Sequence, residues 1–199
     1  LLFYMQQKDL FIDNNGPQWK MTPLTVFQDP DKWYALGETS TKPLSDLNVI
    51  LMRKDPPFDS EFIYSTYILE AAERRGSLIV NKPQSLRDCN EKVFATEFPQ
   101  CTPPLLVSRD EVLLKQFLEE HNEVVYKPLD GMGGTSIFRV KKGDQNLNVI
   151  IETLTSFGQN TIMAQKYLPE ILVGDKRILV IDGSTIINLI LNMDLEKFF

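Results

Sequence analysis

The residues that could do chemistry lie near the middle of the chain, where a lysine stands just before a cluster of glycines. Lys127 follows the apolar run 124–126, and a second apolar run covers 137–140. Both runs are too short for helices, so the pattern predicts two strands of a β-hairpin joined by a loop. The glycines of that loop are Gly131, Gly133 and Gly134.

A glycine loop of this kind could hold phosphate groups. It is not a P-loop, because no Lys-Ser/Thr pair follows the glycines, and it lacks the spacing and the following helix of a dinucleotide fingerprint. A hairpin loop can instead fold over a nucleotide, with bare amides close to the phosphates and Lys127 as a mobile point charge. From the glycines alone, a plain hairpin turn is an equally good interpretation.

Composition restricts the possible functions. The chain has 199 residues, 43% of them hydrophobic, which is enough for one or two domains with a sizeable core. Its net charge of -6 argues against nucleic acid or an anionic membrane as a partner. Two cysteines are too few for a disulfide framework, and we see neither a membrane span nor a signal peptide. We therefore expect a cytoplasmic protein.

The first half of the chain has an α/β pattern. Apolar runs at 47–52 and 78–81 predict two buried parallel strands, and the segment between them predicts a helix from Asp59 to about Arg75. Its expected apolar stripe is Ile63, Tyr67 and Ala71. Shorter strands are expected in 1–5 and 9–12, and a loop in 29–42.

Charged residues follow the strand predicted at 47–52. Arg53 and Asp55 stand at its carboxyl end, where open α/β sheets bind ligands. The competing interpretation is a solvated loop that two prolines terminate. The strand-end position makes these two residues a weak prediction for a substrate site.

Before the predicted domain boundary at 102–104, we expect a further helix that is capped by Ser85 and has Cys89 on its buried face. After this boundary the sequence predicts a compact α+β unit, with a helix that begins with a Ser108 capping box and ends at His121, a helix over 147–157 and a strand over 161–165. Lys92 lies off the first of these apolar stripes, so by itself it is an ordinary surface lysine. Asp182 and Gly183 predict a hairpin turn.

Four motifs in order identify a family. The segments 50–59, 81–92, 127–134 and 174–177 together resemble bacterial glutathione synthetase, an ATP-grasp ligase. The resemblance extends over about residues 1–183. It implies an ATP-grasp architecture, α/β and α+β, with a parallel-sheet N-terminal domain and a central lid domain. The implied domain boundaries are 1–101, 102–165 and 166–199.

The resemblance also implies an activity. Such enzymes use ATP and Mg²⁺, with Mn²⁺ as a substitute, to join γ-glutamylcysteine to glycine through an acyl phosphate, and they form homo-oligomers, namely tetramers. Two alternatives stay open: an ATP-grasp ligase with another acceptor, and a non-catalytic ATP-binding fragment.

Matching positions imply roles for single residues. Lys92 and Lys127 correspond to the phosphate-binding lysines of the family, Asp175 to the acidic residue near the ribose, and Arg177 to a catalytic cation near the transferred phosphate. The resemblance implies that the closing loop and the adenine connector contain the following residues: Gly131, Met132, Gly133, Gly134 and Ser136 in the loop, and Gln165, Lys166, Tyr167 and Leu168 in the connector.

The ends of the chain differ from the family pattern. Family members have a further strand and helix before residue 1 and a long C-terminal portion after about residue 183, which carries the magnesium ligands. The chain starts with Leu1 rather than Met, and 191–199 matches nothing in that pattern. We therefore expect the C-terminal ATP-grasp portion and the metal ligands to be largely missing from this sequence, and the 199 residues alone to be catalytically inactive.

Overall fold

The computed structural model describes residues 1–54, 57–181 and 183–191, apart from the side chains at 175–177, 179, 181 and 186–191. The chain divides into two compact units, Leu1–Asn90 and Glu91–Phe199. Among the described residues, none of the helices combines the length and the apolar character needed to cross a membrane.

The described residues of the first unit form seven strands and two α-helices. In chain order they are β1 (Leu2–Tyr4), β2 (Leu10–Asp13), β3 (Gly16–Val26), β4 (Tyr34–Leu36), β5 (Ser40–Pro43), β6 (Val49–Leu51), α1 (Ser60–Glu73), β7 (Leu78–Val80) and α2 (Pro83–Asp88).

The long strand β3 organises an antiparallel sheet that the sequence pattern only partly predicts. Its first half pairs with β2 and β5, and its second half with β1 and β4. The loop predicted over 29–42 is therefore wrong where β4 and β5 lie. These strands are short and mostly exposed, so their sequences have the polar composition that is typical of loops. They are strands because their backbones pair with β3.

The predicted parallel unit is present, with one correction to its burial. Strands β6 and β7, which α1 connects, pair in parallel. Ile50 lies opposite Ile79, and both side chains are 3% exposed. Their neighbours Val49, Leu51 and Leu78 are at least half exposed. The prediction of two buried strands is therefore correct for Ile50 and Ile79, which pack in one cluster with Leu69 and Ala72 of α1, and wrong for their exposed neighbours.

Helix α1 buries a different stripe from the predicted one. Asp59 caps it as expected, since its carboxylate accepts a hydrogen bond from the Phe62 amide at 2.8 Å. The buried side chains include Phe62, Leu69 and Ala72, whereas Tyr67 is exposed. The helix is weakly amphipathic, so several apolar residues compete for the core and spacing alone does not choose among them.

Helix α2 is shorter than predicted. It starts at Pro83, whose fixed φ suits the first helical position, and it ends at Asp88. Ser85 is therefore inside the helix and is not its cap. Cys89 is an exposed free thiol, so the prediction that it packs on a buried face is wrong.

The second unit is built on a four-stranded antiparallel sheet in the order β10-β9-β11-β8. Its elements are β8 (Leu105–Ser108), α3 (Glu111–His121), β9 (Glu123–Pro128), β10 (Phe138–Lys141), α4 (Leu147–Thr155), β11 (Ile162–Lys166), β12 (Asp175–Ile181) and β13 (Ser184–Leu191). Strands β9 and β10 pair directly, which confirms the predicted hairpin around the glycine loop.

Two helix ends in this unit differ from prediction. The cap of α3 is Asp110, whose carboxylate accepts from the Val112 and Leu113 amides, and not Ser108. Helix α4 ends at Thr155, so Phe157 lies beyond it and is 79% exposed. Phe157 continues the helical spacing in sequence, but the backbone has already turned at Ser156, where φ is 47°.

Strands β12 and β13 form an antiparallel pair at the end of the described chain. Ile181 lies opposite Ser184, and Gly183 has a positive φ of 74°, which agrees with a tight turn. Asp182, the other residue of the predicted turn, is outside the described residues.

Candidate nucleotide site

The two faces of the four-stranded sheet have different roles. Alternate residues of its strands, together with α3 and α4, form a closed hydrocarbon core: Leu114, Leu118, Val124, Tyr126, Val140, Ile151, Leu154, Ile162 and Ala164. The residues between them on β9 point to the opposite face, which therefore carries Glu123, Val125 and Lys127. The candidate site lies on this second face.

Lys127 is held there by a partner on the adjacent strand. Its ammonium donates a 2.8 Å hydrogen bond to the side-chain oxygen of Gln165. Burial lowers the pKa of Lys127, the positive charge of Lys92 lowers it further, and Glu91 partly opposes the shift. Because the Gln165 amide is neutral, this hydrogen bond orients the ammonium without cancelling its charge, and a phosphate would find a partly desolvated cation.

Lys92 contacts the glycine loop and is not an ordinary surface lysine. Its ammonium donates to the carbonyl oxygens of Gly131 at 2.7 Å and Leu129 at 3.3 Å, and it pairs with Glu91 at 2.7 Å. The side chain is only 14% exposed. Lys92 thus lies beside the loop that follows Lys127, although Lys127 comes 35 residues later in the sequence.

The loop backbone adopts conformations that favour glycine. Gly133 and Gly134 have φ values of 67° and 79°, and Ser136 has 59°. A Cβ added at Gly133 would meet nothing within 4 Å, so the backbone there is open to an approaching ligand. Met132 beside it is about half exposed. The loop can therefore present amides to anionic oxygens.

The predicted connector continues directly from β11. The Lys166 amide donates to Pro104 O at 2.9 Å, and the Tyr167 amide donates to Glu123 O at 3.0 Å. Tyr167 is buried, whereas Leu168 is about half exposed. Gln165, at the start of this segment, links it to Lys127. The connector and the two lysines therefore belong to one continuous part of the second unit.

Four other predicted residues either belong to the first unit or have side chains outside the described part of the chain. Asp175 and Arg177 lie on β12, and their side chains are outside what the structure describes. Arg53 is exposed just beyond β6 in the first unit, and Asp55 is outside the described residues. Their predicted roles stay predictions.

The described residues fit an anion better than a cation. Among them there is no group of three or more His, Cys, Asp and Glu side chains that could hold a metal ion. Two ammonium groups and the amides of a glycine loop are donors, which suit phosphate oxygens. This face therefore offers donors that suit phosphate oxygens, while the described part of the chain contains no complete ligand set for a metal ion.

Sequence reasoning missed one contact of this face. Arg139 on β10 stacks on the ring of Tyr167 and pairs with the Glu123 carboxylate. A signal was available, because Glu123 and Arg139 have the alternation that places both on the face of Lys127 once the hairpin register is known. That register is not legible from the sequence alone.

Family models match both units. The N-terminal domain of prokaryotic glutathione synthetase matches residues 1–87, and its ATP-grasp domain matches residues 91–194. The chain belongs to the prokaryotic glutathione synthetase family. It is 60% identical to glutathione synthetase of Pseudomonas aeruginosa over 185 residues, and 58% identical to that of an Escherichia coli strain over the same length. Each alignment covers 93% of this chain and 58% of the relative, so the chain spans little more than half of these curated proteins.

Solved structures agree with an ATP-grasp fold at low identity. D-alanyl-alanine synthetase A from Vibrio cholerae has a TM-score of 0.53 and 13% identity, covering 89% of this chain and 53% of the other. A D-cycloserine synthetase has a TM-score of 0.52 and 15% identity, covering 65% of this chain and 47% of the other. Identities this low show only the fold. Together with the family match, they confirm the predicted architecture.

Proposed function

We propose that this chain supplies the phosphate-binding part of an ATP-dependent ligase that joins γ-glutamylcysteine to glycine. The observation that carries the proposal is the meeting of Lys92 and Lys127 at one glycine loop, with Lys92 bonded to Gly131 O and Lys127 to Gln165. The family match and the identity of about 60% to proteins called glutathione synthetase support the choice of reaction.

The proposed reaction has two steps. A carboxylate oxygen of γ-glutamylcysteine attacks the γ-phosphorus of ATP, and ADP leaves. The glycine amine then attacks the acyl carbon and loses a proton, and phosphate leaves as glutathione forms. Activation is needed because a carboxylate oxygen is a poor leaving group, whereas phosphate is a good one. Negative charge shifts between oxygens in both steps, so fixed cations and amide donors lower the barrier.

Each element of the site has a place in this scheme. Lys92 and Lys127 would bind and orient the phosphates, and the loop of Gly131, Gly133 and Gly134 would cover them and exclude water from the acyl phosphate. The backbone of 165–168 would take the adenine edge. Asp175 near the ribose, Arg177 near the transferred phosphate and the weaker substrate residues Arg53 and Asp55 complete the proposal.

The family also implies a divalent cation, with Mg²⁺ preferred and Mn²⁺ as a substitute, which would neutralise phosphate charge. The described residues hold no ligand set for such a cation. We further propose a cytoplasmic homo-oligomer whose ligands are small molecules, with neither nucleic acid nor membrane as a partner. Within the second unit, 102–165 would be the lid domain and 166–199 the start of the C-terminal domain.

Nucleotide binding is tested on the chain itself by calorimetric titration with ATP. The Lys92→Met variant should bind ATP about tenfold more weakly, because a charge-assisted contact is lost. Lys115→Met is the matched control, since Lys115 pairs with Glu111 on α3 and should leave the affinity unchanged. Equal affinity of wild type and Lys92→Met would contradict the assigned phosphate contact.

The reaction is tested by ADP release from this chain extended with the unmatched portions of the Pseudomonas aeruginosa relative. Release should require both γ-glutamylcysteine and glycine. Release with a different amine and none with glycine would favour a ligase with another acceptor. ATP binding without release under any combination would favour a non-catalytic ATP-binding protein.

A further inference from the structure

Arg139 makes two contacts that join the glycine hairpin to the connector. It lies on β10, the strand that follows the glycine loop, and its guanidinium carbon is 3.7 Å from the centre of the Tyr167 ring. Its Nε donates to the Glu123 carboxylate, a short charge-assisted hydrogen bond. The Arg139 and Glu123 side chains are 27% and 26% exposed, so solvent screens this pair less than it screens a surface pair.

Glu123 holds the same tyrosine from its backbone. Its carbonyl oxygen accepts from the Tyr167 amide at 3.0 Å, while its carboxylate takes Arg139. Tyr167 is therefore fixed at its amide by β9 and on its ring face by β10. With only 6% of its surface exposed, it has little freedom to move unless Arg139 moves too.

The strand register separates Arg139 from the phosphate end of the site. Arg139 lies opposite Val125, two residues before Lys127 on β9, and Glu123 lies two residues further back. At about 3.3 Å per residue along a strand, its position opposite Val125 is on the order of 7 Å from Lys127 along the strand direction. Arg139 therefore lies where it contacts Tyr167 of the connector, away from Lys127.

We propose that Arg139 is a positioning residue that holds Tyr167, and with it the backbone of 166–168, in the conformation that receives the adenine edge. This inference rests on the proposed nucleotide function. Its physical basis is a cation–π contact reinforced by an ion pair, which links the strand leaving the glycine loop to the segment beside the base.

The test compares ATP with inorganic tripolyphosphate, a probe that has the phosphates but no base. For Arg139→Met, calorimetric titration should show ATP binding weakened about fivefold, the size expected for one such contact, and tripolyphosphate binding unchanged. Arg139→Lys should recover part of the loss, since an ammonium can still stack on the ring. Equal weakening of both probes, or of neither, would overturn the proposal.

Lys141→Met is the matched control. Lys141 lies on the same strand and the same face, 3.9 Å from Glu123, but its side chain is 70% exposed. It should leave both affinities unchanged. A loss of ATP affinity equal to that of Arg139→Met would mean that any cation near Glu123 suffices, which would also overturn the specific role.

A nucleotide-free measurement separates this inference from the proposed function. Hydrogen exchange of a peptide spanning 162–172 should be faster in Arg139→Met than in wild type and in Lys141→Met. Unchanged exchange would overturn the positioning role even if ATP binds. Faster exchange in a chain that binds no ATP would leave Arg139 holding the connector and would overturn its adenine role together with the proposed function.

Discussion

The two faces of the four-stranded sheet show how one strand serves two purposes. On β9, Tyr126 faces the helices and is fully buried, and its hydroxyl donates to Leu114 O at 2.9 Å. Lys127, the next residue, faces the other way and donates to Gln165. Burial affects both groups with opposite sign, since it raises the pKa of Tyr126 to about 12 and lowers the pKa of Lys127.

Substitutions on the two faces should therefore affect different properties, namely stability on one face and ligand binding on the other. A neutral tyrosine with a satisfied hydroxyl stabilises the fold at neutral pH, so the helix side should control stability. A partly desolvated lysine is unfavourable in the fold by itself, which agrees with the proposed role of Lys127 in binding an anionic ligand. Substitutions on the open side should therefore change binding more than stability.

The largest expected effect on stability is from Leu118→Ala on the helix side. Leu118 is fully buried in the core, so a cavity should lower the free energy of unfolding by about 2–5 kcal/mol. Leu113→Ala is the control on the same helix, because Leu113 is 46% exposed. Urea unfolding followed by circular dichroism measures both. Similar losses for the two would show that the helix side is not a packed core.

Lys127→Met should reduce ligand binding and not stability, in contrast to Leu118→Ala. We expect ATP binding to weaken by about 10–100-fold, because a charge-assisted contact to phosphate is lost, while stability at neutral pH stays the same or rises. Since the folded pKa lies below the unfolded one, the Lys127 contribution makes stability increase as pH rises from the folded pKa towards the ordinary value of 10.5. The variant should lose that increase. Undiminished ATP affinity would contradict the assignment.

Gly133→Val tests whether the loop is more than a turn. A β-branched residue is strained at a φ of 67°, yet its Cβ meets no neighbour, so the fold should lose only about 1–3 kcal/mol. Ligation in the extended protein should lose much more, with kcat reduced over about a hundredfold as the loop fails to close. Gly143→Val, at a φ of 87° with equally open surroundings, is the control. Unchanged kcat at Gly133 would leave the loop as a plain turn.

Tyr126→Phe should have the smallest effect. Loss of the hydrogen bond to Leu114 O should cost about 1 kcal/mol at neutral pH. Because the folded pKa of about 12 exceeds the ordinary value of 10.0, the tyrosine contribution falls as pH rises from 10.0 towards 12. The variant should lack this decline in urea unfolding at alkaline pH, whereas Tyr64→Phe, at an exposed position, should keep it. An identical alkaline decline in Tyr126→Phe would be inconsistent with a buried, protonated tyrosine.

Much of the second unit could be predicted from the sequence because its signals are local. Two short apolar runs around glycines predict the hairpin, and apolar spacing with turn residues predicts α3, α4 and β11. The predicted end of α4 was wrong at Phe157, because helical spacing continues past the point where the backbone turns. The predicted burial of Cys89 and Tyr67 was wrong for a related reason, since burial depends on what packs against a helix face and not on the face alone.

The amino-acid sequence was sufficient to identify the family, most elements of the second unit and the residue types that can hold a phosphate. The contacts of the two lysines, in contrast, become visible only in the folded chain. By its spacing alone Lys92 resembles any surface lysine, whereas in the fold its ammonium contacts the carbonyl oxygens of Gly131 and Leu129. Likewise, Arg139 meets Tyr167 only through the pairing of β9 with β10 and β11. The physical reason is that periodicity reports which side of an element a residue faces, whereas contacts between distant residues depend on register.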